Sequence, residues 1–318
     1  MFQKEVTMHR LKKIALKALS YPVDFKKNYK FHRRMFDAVH PSFKPLYNLL
    51  DEKIILGDHE IPVRIFLPKE NALPGALIFF HGGGWVTGNI DSYTGICAHM
   101  ANETRRLVIS VNYLLAPEHP FPAGLEDCYH AAREFFLNRD ILKIDPRHIT
   151  LIGDSAGGNL AAAVSLMARD RGEFLPKRQI LLYPATYNDY SENSPFASIR
   201  ENGTDYILTR QKIQDYMDLY VQNEEDRNSP YVAPILSDDL SDQPETLIIT
   251  AELDPLRDEG EAYGKRLREF GNHVEIYRMK DALHGFLALP KKSEYVVKCY
   301  RIINLFLNGE NDWNDIRI

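Results

Sequence analysis

From Lys53 onward the chain alternates short apolar runs with longer stretches in which apolar residues recur every third or fourth position. Residues 53–56 and 61–67 read as two strands joined at Gly57-Asp-His-Glu60, a hairpin turn. Ala76-Leu-Ile-Phe-Phe80 is continuously apolar, as expected of a strand buried on both faces. The pattern then predicts a helix over 91–103, a strand over 107–112, a helix over 125–138, a strand over 148–153, a helix from Asn159 and a strand over 179–183. Strands separated by helical stretches of about ten to fifteen residues predict a parallel sheet with right-handed crossovers.

Residues 186–230 interrupt this rhythm. They are rich in Tyr, Asn, Ser and Asp, with one helix predicted over 209–222. The alternation resumes with a strand over 245–251, a helix over 258–270, a strand over 273–277 and a helix over 293–307. An excursion placed late in such a sheet is expected to lie over the carboxyl ends of the strands, where ligands bind. The chain therefore divides into an N-terminal cap segment (1–50), a core begun by 51–185 and completed by 231–318, and a cap insertion (186–230). The last ten or so residues are polar and expected to fray.

Before residue 45 the texture differs. Residues 1–44 hold 11 Lys/Arg against 3 Asp/Glu, a local +8 that leaves −13 for the remainder of a chain with net charge −5. Met8, Leu11, Ala15 and Leu19 fall at helical spacing with lysines between them. This is expected to be an amphipathic helix packed on an acidic body rather than a membrane-surface helix. Tyr21, Phe25, Tyr29, Phe31 and Phe36 form an aromatic series suited to covering a groove.

Composition narrows the classes. At 318 residues, 44% hydrophobic and 26% charged, the chain has material for a large core. Its net charge gives no reason to expect nucleic acid as a partner. Cys97, Cys128 and Cys299 are scattered and form no C-x-x-C, which fits inert core thiols in a reducing compartment, hence the cytoplasm. The first residues carry no long apolar run, and no stretch reaches the roughly 18 apolar residues of a membrane span.

The chemistry centres on Gly153-Asp-Ser-Ala-Gly-Gly158, which closes one strand and opens a helix. Gly153, Ser155 and Gly157 make G-x-S-x-G. A serine on such a turn is raised above the sheet, next to the positive end of the helix. A Walker-type phosphate loop is excluded, because Asn159 and Leu160 stand where Lys and Ser/Thr are needed. Phe80-His-Gly-Gly-Gly-Trp85 ends another buried strand, and its bare N–H groups suit an oxyanion. A dinucleotide turn is disfavoured there, since Gly82, Gly84 and Gly88 are spaced one residue too long. His81 precedes the serine in the chain and reads as a structural hydrogen bonder. Asp254, just past a predicted strand and before Pro255, is placed to orient a histidine, with Asp258 and Glu252 as competitors. His284 sits in Ala282-Leu-His-Gly-Phe286, an enclosed turn before the last helix. The order Ser155, Asp254, His284 is that of nucleophile, acid and base in the α/β-hydrolase fold.

Taken together, these pieces resemble the hormone-sensitive-lipase-type (family IV) carboxylesterases of the α/β-hydrolase superfamily, and especially the bacterial acetyl esterases. The resemblance is carried by His81-Gly-Gly-Gly-Trp85, Tyr113-Leu-Leu-Ala-Pro-Glu-His-Pro-Phe-Pro-Ala123, Gly153-Asp-Ser-Ala-Gly-Gly158, Asp254-Pro-Leu-Arg-Asp-Glu-Gly260 and His284-Gly-Phe286, in family order across about residues 60–290. It implies an α/β-hydrolase fold, a mostly parallel central sheet flanked by helices, with a helical cap. It implies Asp254 as the acid of the triad and an oxyanion hole of the N–H groups of Gly83, Gly84 and Ala156. Leu114 departs from the family's usual Arg, which bears on local packing.

The implied activity is hydrolysis of short acyl esters, acetyl to hexanoyl, through an acyl-enzyme, in a pocket expected to be walled by Trp85, Phe80 and the Tyr-rich insertion. No cofactor or metal is called for, and no H-E-x-x-H or Cys/His cluster is present. The expected partner is a small-molecule ester, with no nucleic acid and no membrane. Self-association through an edge strand or the last helix is compatible with the resemblance, with no interface assigned. The alternatives are a deacetylase of acetylated sugars or small amides, and a non-catalytic ligand-binding protein on the same fold.

Overall fold

The computed structural model describes residues 25–39, 47–138 and 143–310. The helix expected around Met8 to Leu19, Tyr21 and the polar residues 311–318 lie outside the described residues.

A sheet of eight strands runs in the order β1-β2-β4-β3-β5-β6-β7-β8. The strands are β1 (Leu49–Leu56), β2 (His59–Phe66), β3 (Ala76–Phe80), β4 (Leu107–Val111), β5 (Ile149–Asp154), β6 (Arg178–Leu182), β7 (Glu245–Leu253) and β8 (Val274–Leu283). β1 and β2 form a hairpin, β2 pairs antiparallel with β4, and every other pairing is parallel. The helices are α1 (Phe25–Val39), α2 (Thr94–Thr104), α3 (Ala123–Leu137), α4 (Ala156–Arg171), α5 (Ala197–Asn202), α6 (Arg210–Tyr220), α7 (Arg257–Glu269) and α8 (Glu294–Asn308).

All five residues of β3 are buried, which explains the unbroken apolar run. Ile78 and Phe80 pack with α3 and α4, through residues such as Leu125 and Leu160. Leu77 and Phe79, on the opposite face, pack with α2 and α8 through Cys97, Met100 and Ile302. Alternation along the strand thus feeds two cores, and each such large apolar side chain contributes roughly 1.5–3 kcal/mol by leaving water. The three cysteines are free and buried within these cores.

The carboxyl ends of β3, β5, β7 and β8 converge on one edge of the sheet, where the loops to α2, α4, α7 and α8 begin. The excursion between β6 and β7 carries α5 and α6, and α1 packs beside α6. Phe25 meets Tyr216 edge-on with centroids 4.5 Å apart, and Lys26 is ion-paired with Asp218. Arg33 donates to the carbonyls of Val86 (2.9 Å) and Ala116 (3.1 Å) and pairs with Glu118 at 3.0 Å. Basic side chains of the N-terminal region therefore meet acidic ones of the body and the excursion. Phe36 stacks on Tyr93, whereas Phe31 is exposed.

β1 and β8 run furthest beyond the strands that the apolar pattern predicts. β1 begins at Leu49, ahead of Asp51 and Glu52, because an exposed edge strand tolerates charge and Asp51 reaches the buried Arg64. β8 continues past Tyr277 to Leu283, since its pairing follows β7 rather than its own apolarity. There Arg278 is held by Glu261 at 2.7 Å. The helix expected from residue 91 begins at Thr94, and the short α5 carried no apolar period by which to find it.

Candidate active site

β5 ends at Asp154 and α4 starts at Ala156, so Ser155 alone makes the turn. Its φ of 55° and ψ of −120° lie in a sparsely populated region, where strain of order 1–3 kcal/mol is stored. The flanking glycines are forced by crowding. A Cβ on Gly153 would sit 2.1 Å from the Gly157 carbonyl oxygen, and one on Gly157 would sit 1.9 Å from that of Phe80. The strand can therefore reverse into the helix only if both side chains are absent.

The serine hydroxyl meets His284, with Oγ 2.9 Å from Nε2, and His284 Nδ1 lies 2.7 Å from Asp254 Oδ2. The tautomer that satisfies both contacts has Nδ1–H donating to Asp254 and Nε2 accepting from Ser155. Asp254 directly follows β7 and is fully buried, and its Oδ1 accepts the Leu256 N–H at 2.9 Å. His284 directly follows β8, and the edge of its ring meets Tyr183, with centroids 4.9 Å apart. The competing carboxylates are occupied elsewhere. Glu252 accepts the Asp281 N–H at 2.7 Å, and Asp258 accepts the Ser198 N–H at 2.8 Å beside Arg257.

The three-glycine loop lies beside this turn. Gly83 (φ 114°) and Gly84 (φ 61°) adopt backbone conformations that suit glycine. A Cβ on Gly83 would reach 2.2 Å from the Thr87 carbonyl oxygen, and one on Gly84 would reach 2.3 Å from the Tyr216 ring. The Gly83 carbonyl accepts from Val86 and Thr87, and among the described residues the Gly83 and Gly84 N–H groups donate to no backbone carbonyl. The Ala156 N–H belongs to the first turn of α4, whose donors have no partner within the helix. Gly82 donates its N–H to Asp154 Oδ1 at 2.8 Å, and Tyr93 donates its hydroxyl to Oδ2 at 3.2 Å. Burial pushes the Asp154 carboxyl up to about 6. His81 is fully buried and stacks on Tyr113 at 4.3 Å, with its Nδ1 2.8 Å from the Gly82 carbonyl. Burial drives its ring down to about 4, so it is neutral near pH 7 and shapes the loop.

A cavity of about 170 Å³ opens on Ser155 and His284. Gly83, Gly84, Tyr93 and Ile96 wall it from the core, Phe36 from α1, and Ile207, Leu208, Lys212 and Tyr216 from the excursion. The expectation that Phe80 and Trp85 form its walls is corrected. Both are in the core, and Trp85 lies flat on Tyr220 at 4.6 Å. A strand end and a loop turned inward bury these rings, so the lining passes to segments distant in sequence.

Sequence reasoning also missed Glu259, on the first turn of α7. It is fully buried and accepts the N–H groups of Thr186 (2.7 Å) and Tyr187 (3.2 Å), tying the start of the excursion to the Asp254 turn. Burial first, with the nearby Asp254 charge adding to it, raises its carboxyl to about 8. The motif Asp254-Pro-Leu-Arg-Asp-Glu-Gly260 contained it, but local sequence could not say what it holds. Leu114, where the resembling family has Arg, donates its N–H to Asp127 at 2.9 Å, and Asp127 also meets His59 Nε2 at 2.9 Å. Among the described residues no three His, Cys, Asp or Glu side chains are grouped to hold a metal ion, and no helix is long and apolar enough to cross a membrane.

A family model for the alpha/beta hydrolase fold matches residues 77–288. An arylesterase of Saccharolobus solfataricus is 38% identical over 253 residues, covering 79% of this chain and 81% of that protein. An ethyl acetate hydrolase of Pseudomonas putida is 34% identical over 235 residues, covering 73% of each. A solved esterase of Pyrobaculum calidifontis superimposes with a TM-score of 0.83 at 35% identity, covering 93% of this chain and 97% of that one.

Proposed function

The chain belongs to the hormone-sensitive-lipase-type (family IV) carboxylesterases of the α/β-hydrolase superfamily and hydrolyses carboxylic esters, and we propose that it does so through Ser155, His284 and Asp254 on short acyl groups. The contact that carries this reading is the continuous relay Ser155–His284–Asp254, at 2.9 Å and 2.7 Å. His284 Nε2 takes the hydroxyl proton as Ser155 Oγ bonds to the ester carbonyl carbon. The carbonyl oxygen becomes an oxyanion held by the N–H groups of Gly83, Gly84 and Ala156, each such donor lowering the barrier by about 3 kcal/mol. Asp254 holds the imidazole tautomer and stabilises the imidazolium. As the carbon–oxygen bond to the alcohol breaks, His284 returns its proton to that alcohol, leaving Ser155 acylated. Water then gives a proton to His284 and attacks the acyl carbon, and as the bond to Ser155 Oγ breaks His284 returns that proton to Oγ, releasing the acid and restoring Ser155.

Short acyl groups, acetyl to hexanoyl, suit the size of the cavity. A cavity of about 150 Å³ holds a benzene-sized guest, and this one is about 170 Å³. The test is turnover of p-nitrophenyl acetate by the wild type and by Ser155→Ala. A loss in kcat on the order of 10⁴–10⁶ is expected, and wild-type turnover in the variant refutes the assignment.

A further inference from the structure

Around α6, several basic side chains are held by carboxylates. Lys26 pairs with Asp218, Arg227 with Asp218 at 2.6 Å, and Arg210 with Glu192 at 2.5 Å. Lys212 lines the cavity that opens on Ser155, yet among the described residues no carboxylate lies within 4 Å of its ammonium and no acceptor takes its protons. Asp215, one turn further along α6, is turned away to Gln211 (3.0 Å) and Lys26 (3.9 Å).

The position is unfavourable for a cation without a partner. Lys212 stands in the first turn of α6, after the Thr209 cap, where the helix presents its positive end. It is half-buried, and desolvation lowers its pKa. Burial first, and then the Lys212 charge, depress His32 of α1, whose Nε2 is buried with no partner. A rim lysine ordinarily turns its ammonium to water and pairs loosely. Here desolvation and helix polarity both disfavour the charge, and an anion inside the cavity would offset them. Asp154 is the one carboxylate among the lining residues, and its oxygens are already directed at Gly82 N–H and the Tyr93 hydroxyl.

We propose that Lys212 is a specificity residue that binds a carboxylate carried by the ester, so that the preferred substrates are short esters bearing a negative charge on the acyl or the alcohol part. The proposal rests on the esterase reading above. It requires no new chemical step, because the carboxylate pairs with the ammonium while Ser155 acts on the ester carbonyl.

Two matched pairs of substrates test it and separate the two sources of the charge. In the acyl arm, mono-4-nitrophenyl glutarate is compared with 4-nitrophenyl hexanoate. In the alcohol arm, 4-acetoxybutyrate is compared with pentyl acetate in a pH-stat. The wild type is expected to give a kcat/KM ratio, anionic over neutral, above one in at least one arm. That ratio should fall about tenfold in Lys212→Met and in Lys212→Gln, and be largely kept in Lys212→Arg, as expected for one charge-assisted contact. Two neutral variants are used so that misfolding of one leaves the test intact. A wild-type ratio below one in both arms, or an unchanged ratio in the neutral variants, overturns the proposal while neutral-ester turnover leaves the esterase reading standing. Absence of turnover on the neutral esters overturns both.

Discussion

Asp154 Oδ1 accepts the Gly82 N–H at 2.8 Å, so the residue preceding Ser155 holds the loop that presents Gly83 and Gly84. The Ser155 turn and the three-glycine loop are thereby fixed to each other through one buried carboxyl. Burial raises that carboxyl from 3.8 to about 6. The folded state therefore binds its proton more tightly than the unfolded chain, and the stabilisation is complete below about pH 4 and lost as pH rises through about 6. Denaturant unfolding of the wild type and Asp154→Asn at pH 4.5 and pH 7.5 is expected to show the variant gaining on the wild type as pH rises. A stability difference that does not change with pH would contradict this.

The identity of the acid is settled by a paired substitution. Asp254→Asn is expected to lower kcat by about 10⁴, because the imidazole loses the partner that fixes its tautomer. Asp258→Asn removes the charge paired with Arg257 and leaves one acceptor oxygen where two now serve Ser198 N–H and Arg257, so it should cost about 1–2 kcal/mol of stability and only a few-fold in kcat. Steady-state rates on p-nitrophenyl acetate, with thermal melts of both variants, decide between them. Equal losses in kcat would remove Asp254 from its assigned role.

Gly157→Ala is expected to prevent stable folding or to cost more than about 4 kcal/mol, because its Cβ would lie 1.9 Å from the Phe80 carbonyl oxygen. Gly172→Ala is the control. Its Cβ would meet nothing within 4 Å, although its φ is 66°, so the loss should be about 1 kcal/mol. Soluble yield and melting temperature of the two variants report the contrast, and a well-folded Gly157→Ala would refute the crowding argument.

Across p-nitrophenyl esters, kcat/KM is expected to peak at or below hexanoyl and to fall at least tenfold by myristoyl, since the cavity is about 170 Å³. Faster turnover of myristate than of butyrate would mean that the cavity opens beyond Ile207 and Leu208.

Much of this protein was readable from the chain alone. The run Ala76–Phe80 had to be a strand buried on both faces, because five consecutive apolar residues leave no side for water. Gly153-Asp-Ser-Ala-Gly-Gly158 had to be a strand-to-helix turn, because its small residues and the helix formers after it leave few other backbone paths. These are local properties, set by side-chain size, period and backbone freedom. The cavity was of another kind. Phe36, Gly84, Ile207, Lys212 and Tyr216 meet around Ser155 from segments far apart in sequence, and Phe80 and Trp85, apolar and adjacent to the loop, turn into the core instead. Likewise β8 extends to Leu283 because β7 pairs with Arg278, Met279 and, beyond a register shift, Leu283, a partner that no apolar alternation records. Which carboxylate faces His284 depends on the pairing of β7 with β8, and which lysine is left without an acid depends on how the excursion and α1 dock on the sheet. Docking is governed by contacts between residues that the chain order keeps apart, so it became visible only when those residues were in place.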